Sequence, residues 1–123
     1  MTPTTAVAPD TLAGGWSLAT LDLAGVPRCA HDDGDGLVVA LERALTSVIG
    51  AIAWNAHRFA PKGLSLVGTA VRGRVIVHTW PEQSALTVDL YGEPGGAGPA
   101  LAAVARSLTE RERAVAGSRR AAT

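Results

Sequence analysis

The 123-residue sequence has one cysteine, Cys29, and no excess of either charge: eleven Lys and Arg balance eleven Asp and Glu. A single thiol excludes an intrachain disulfide and a cysteine-rich zinc site, and it fits a reducing compartment. Zero formal net charge leaves no overall field to gather nucleic acid or an anionic membrane. No stretch approaches the roughly 18 consecutive apolar residues of a membrane span, and Met1 to Ala13 lacks the basic start and long apolar run of a secretory leader. There is no internal repeat. The expectation is a cytoplasmic protein with no nucleic-acid and no membrane partner. The length sets a single domain with one modest core, and a hydrophobic content of 47% at that size leaves apolar surface for a second subunit.

What is there divides into three parts. Residues 1–14 hold two prolines and several threonines without an apolar period and read as a flexible N-terminal arm. The folded domain is expected over 15–109, and the charged, small-residue segment 110–123 as a frayed or disordered tail. Within the domain, Trp16 to Leu23 alternates loosely as a strand, and Gly25 to Gly36 is a loop. Leu37, Val38, Leu41, Ala44, Leu45, Val48 and Ile49 recur at helical spacing, with Asp35 in N-cap position and Gly50 as the stop. Strands follow at Ala51 to Phe59, Leu64 to Val71, Arg74 to Thr79 and Ala85 to Tyr91, and Pro99 to Leu108 carries one apolar helical face. This order predicts an α+β two-layer sandwich, a mostly antiparallel sheet with two helices on one face.

Three clusters carry side chains capable of chemistry. Cys29, His31, Asp32, Asp33 and Asp35 crowd one loop, but their spacing matches no metal loop, and solvated aspartates at a helix N-terminus are the better account; no metal is assigned. His57-Arg58-Phe59 offers a base, a cation and a ring that suit a planar ligand, or simply the end of a strand. In the third, Arg72-Gly73-Arg74 leads into Val75-Ile76-Val77 and His78-Thr79-Trp80-Pro81-Glu82. Gly73 permits a sharp turn, the arginines offer forked donors for an anion or stay solvated, and His78 is a candidate acid or base.

The run His78-Thr79-Trp80-Pro81-Glu82, preceded by an alternating strand and followed by Val88-Asp89-Leu90-Tyr91, resembles the signature of prokaryotic S-adenosylmethionine decarboxylases. His57-Arg58-Phe59, Gly63 and Leu21-Asp22-Leu23 with Gly25 also fall on family positions, so the resemblance covers about Trp16 to Leu108. Members of that family are proenzymes that cut themselves at a Glu-Ser bond and convert the serine into a pyruvoyl group. Here that bond reads Arg72-Gly73. By the resemblance, Ser65 and His78 match the serine and histidine that assist processing, Glu93 stands where the family has its proton-donating cysteine, and Phe59, Trp80 and Glu82 match pocket positions.

The resemblance thus implies an unprocessed chain with no cofactor. Ser65, His78 and Glu93 are expected to converge as catalytic groups near Gly73, with Arg72 and Arg74 at the pocket edge and His57 beside Phe59 as substrate contacts. The expected function is cofactor-independent acid/base chemistry on a small molecule, of isomerase, cyclase, lyase or hydrolase type, in a biosynthetic pathway. A homodimer is implied, with pockets near its interface. Two other readings stay open: a catalytically inactive partner in a heterodimer with a decarboxylase paralogue, and a binding protein for S-adenosylmethionine or a related nucleoside.

Overall fold

The computed structural model describes residues 2–7, 15–25, 34–59, 63–93, 96 and 98–109, residues 2–7 by their strand position alone. Among the described residues there are six strands: β1 (Thr2–Val7), β2 (Ser17–Ala24), β3 (Ala53–Arg58), β4 (Leu64–Ala70), β5 (Gly73–Trp80) and β6 (Ala85–Gly92). Helix α1 spans Gly34–Ile49, and α2 runs over 98–109. All strand pairs are antiparallel, in the order β1-β2-β6-β5-β4-β3. The α+β sandwich expected from the sequence is the fold observed.

Side chains alternate across a strand, so each strand divides its residues between two faces. On one face Leu21, Leu23, Leu64, Leu66, Val75, Val77, Leu86, Val88 and Leu90 are buried against Leu37, Leu41, Leu45 and Ile49 of α1 and Leu101, Val104 and Leu108 of α2. Each such side chain contributes about 1.5–3 kcal/mol by leaving water. The other face carries Leu18, Val67, Ile76, His78, Trp80, Thr87, Asp89 and Tyr91, half-buried or exposed. Among the described residues no helix covers it.

Helix α1 ends as expected: Gly50 takes φ +96°, and its N–H donates to the carbonyl of Thr46 at 3.0 Å. Its start differs. The helix begins at Gly34, so Asp35 lies inside the first turn, where its charge meets the helix dipole, and not at the cap. The arm expected over 1–14 differs at residues 2–7, while residues 1 and 8–14 lie outside the described residues. Thr2–Val7 is not a free arm but pairs along its length with β2 as the sheet's edge. Thr and Val favour strands, and an edge tolerates Pro3, so a short segment too polar to build a core still finds a ladder to join. Cys29, His31, Asp32, Asp33 and the tail at 110–123 lie outside the described residues.

Candidate functional site

β4 and β5 place Ser65 directly opposite His78. Their parity puts both on the open face, together with Trp80 two residues on. The Ser65 hydroxyl lies 2.7 Å from Nδ1 of His78, and Ser65 is only 9% exposed although the face is open. The intervening Thr79 points the other way: its buried hydroxyl accepts the N–H of Leu64 at 2.8 Å and fastens the start of β4 to the end of β5. One motif therefore alternates between the site and the frame that holds it.

The end of this strand pair is shaped into a cavity of about 380 Å³, lined by Phe59, Gly63, Ser65, His78, Thr79, Trp80 and Glu82. Pro81 has no N–H to continue a ladder, so β5 stops at Trp80 and a single 3-10 turn, Pro81–Gln83, brings Glu82 to the cavity. Across it, the Phe59 N–H donates to the Gly63 carbonyl at 2.9 Å. Gly63 holds φ +116°, a conformation that favours glycine. Phe59 remains 51% exposed and Trp80 42%, leaving aromatic surface free for a ligand. His57 packs edge-on to Phe59, ring centroids 4.5 Å apart, and the His78 and Trp80 centroids are 6.0 Å apart.

The other expected site residues are elsewhere. Gly73 pairs with Gly92, and Glu93 follows it. Counted along β5, Gly73 is five residues from His78, roughly 17 Å at about 3.4 Å per residue. Within one chain Glu93 therefore does not meet Ser65 and His78, and the expected convergence of the three is corrected: a strand keeps residues five apart at that distance. Arg72 is also not at the cavity. Its N–H donates to the Ile49 carbonyl at 3.0 Å and its Nε to the Val48 carbonyl at 3.4 Å, so it closes the C-terminus of α1, where a cation meets the negative end of the helix. Arg74 faces the open side between Thr69 and Tyr91, two pairs beyond Ile76, away from the cavity.

Gly73 itself is buried on the helix-covered face. A Cβ built on it would lie 2.5 Å from Cγ2 of Ile49 and 2.5 Å from the Tyr91 carbonyl oxygen. A pyruvoyl group derives from a residue with a side chain, and position 73 has neither the atoms nor the room; the residues present do not fit that group.

The sequence did not point to Gly63 or Thr79 as cavity-lining residues; alternation along His78-Thr79-Trp80 turns the Thr79 side chain to the other face. Nor did it point to a polar row across the open face. Asp22 stands opposite Thr87, Thr87 opposite His78, His78 opposite Ser65 and Ser65 opposite His57.

Comparison with known proteins agrees with this architecture. The family model described as S-adenosylmethionine decarboxylase matches residues 18–120. The S-adenosylmethionine decarboxylase proenzyme of Methanococcus vannielii is 32% identical over 73 residues, a stretch that takes in 58% of this chain and 59% of the relative's own length. The crystal structure of the adenosylmethionine decarboxylase from Aquifex aeolicus VF5 superposes with a TM-score of 0.61 at 27% identity, over 76% of this chain and 79% of that one. With a match across most of its length and a shared sheet and helix arrangement, the chain belongs to the S-adenosylmethionine decarboxylase family.

Proposed function

We propose that this chain is a repurposed member of its family that does not cut itself, carries no pyruvoyl group and uses the Ser65–His78 cavity for cofactor-independent acid/base chemistry on a small molecule. The observation that carries the reading is the 2.7 Å contact between Ser65 Oγ and His78 Nδ1, set between the exposed rings of Phe59 and Trp80. An Nδ1–H donated to Ser65 fixes the ring and leaves the lone pair of Nε2 as a base toward a ligand, while the Ser65 proton serves as a donor. Glu82 supplies an acceptor at the same cavity. The absence of a side chain at Gly73, and of space for one, supports an intact chain.

Glu93 joins this cavity only if a second copy stacks on the open sheet face with its strands reversed. That face supports a symmetric homodimer: Leu18, Val67, Ile76 and Tyr91 lie on it, and among the described residues no helix covers them. The same face supports a second reading, an inactive partner of a decarboxylase paralogue.

Intact mass is the first test. One species at full length is expected; two fragments divided between Arg72 and Gly73, or turnover of S-adenosylmethionine to its decarboxylated product, would overturn the reading. Against a panel of small molecules, His78→Ala should lose turnover while keeping its circular dichroism. A regulator would instead change a paralogue's activity on mixing and turn over nothing.

A further inference from the structure

Trp80 borders two cavities. Beyond the one shared with Ser65 and His78 lies a second of about 320 Å³, where Trp80 meets Asp22, Gln83, Ala85 and Thr87. Among the described residues, Asp22 is the only charged one lining it. The indole N–H of Trp80 donates to Thr87 Oγ1 at 3.4 Å, so its one donor is engaged, and the ring, 42% exposed, lines the cavity. A carboxylate, a hydroxyl oxygen and an indole surface together favour a cation and disfavour a carboxylate or a phosphate.

Register places this cavity within reach of the first. Asp22 pairs with Thr87 and Thr87 with His78, so Asp22 and His78 are two strands apart on one row. At about 4.8 Å between strands, that is about 10 Å.

We propose that the Asp22–Trp80 cavity is a subsite for a primary ammonium group, and that the small molecule taken by this protein is an amine. The amine sits against Asp22 and the Trp80 ring, and the rest of the molecule extends past Trp80 to Ser65 and His78. This rests on the reading of the first cavity as a small-molecule site, and it adds the charge of the ligand. Neither proton transfer nor bond breaking is assigned to Asp22, which acts as a specificity determinant.

The test uses n-hexylammonium, whose chain extends from Asp22 toward His78, against the neutral isostere 1-hexanol, titrated into the full chain and followed by amide and indole N–H shifts. The ammonium probe should bind about tenfold more tightly, the scale of one exposed carboxylate contact plus one cation–π contact. Asp22→Asn should erase that advantage and leave 1-hexanol binding unchanged. Equal affinities in the wild type, or an advantage that survives Asp22→Asn, would overturn the subsite. Ammonium-selective shifts at Thr87 and Gln83 without any at Ser65 and His78 would uphold the subsite and sink the reading of the first cavity instead.

Discussion

Gly73 packs on Ile49 so closely that a β-carbon at position 73 would come within 2.5 Å of the isoleucine Cγ2. The two residues join the β4–β5 turn to the end of α1, and Arg72 strengthens the joint through the carbonyls of Ile49 and Val48. That turn has two residues between paired Ala70 and Gly73, and neither Val71 nor Arg72 adopts the positive φ usual in two-residue hairpin turns. Docking on the helix holds a geometry that the turn alone favours less.

Placing a serine at this position should therefore not produce a self-cleaving chain. Gly73→Ser is expected to lose about 1–3 kcal/mol through overpacking against Ile49 and the Tyr91 backbone. It should still give one full-length mass. Urea unfolding measures the first effect and mass spectrometry the second. Cleaved fragments from this variant would show that the closed packing does not govern the turn.

Ser65→Ala should leave His78 without its 2.7 Å partner. A loss of about 0.5–1.5 kcal/mol is expected for this part-buried pair. The ring nitrogens of His78, followed by ¹⁵N spectroscopy, should change from one dominant tautomer to a mixture. Unchanged ring signals would mean that Ser65 does not orient the imidazole.

Thr79→Val should cost more than its exposed neighbours in the same motif. It removes the acceptor of the buried Leu64 N–H, and an unsatisfied buried donor costs about 1–3 kcal/mol. Chemical denaturation gives the magnitude. Faster amide exchange at Leu64 identifies the cause.

Self-association should depend on the open face of the sheet. Light scattering is expected to give a mass near twice the 12.5 kDa of the chain. Ile76→Lys, at the centre of that face, should return the monomer mass without unfolding it, since Ile76 lies on the side away from the helices. A wild-type monomer would remove the dimer from the proposed function.

Much of the site was legible because its parts are local. His78, Trp80 and Glu82 come from five consecutive residues, and an alternating strand that ends at a proline dictates their placement. Ser65 reaches His78 through the hairpin register that the short Val71-Arg72 turn sets. The spacing of Gly73 and His78 was legible too. Five residues of strand already forbade their meeting within one chain, yet family likeness alone drew Glu93 and Arg72 toward the same point.

The sequence by itself determined which residues are apolar and at what period, and so the two helices, five of the six strands and the face of each strand that enters the core. Hydrophobic burial is nearly indifferent to partners, so periodicity suffices to specify it. Only the tertiary structure decided that Thr2–Val7 forms an edge strand, that Arg72 caps a helix distant in sequence and that Gly73 lies under Ile49. It also placed Asp22 and His78 on one row through β6, which follows β5 directly but lies far along the chain from β2. Those outcomes depend on which strand lies beside which, a choice made by hydrogen-bond registry and packing across long loops, and no local pattern encodes it.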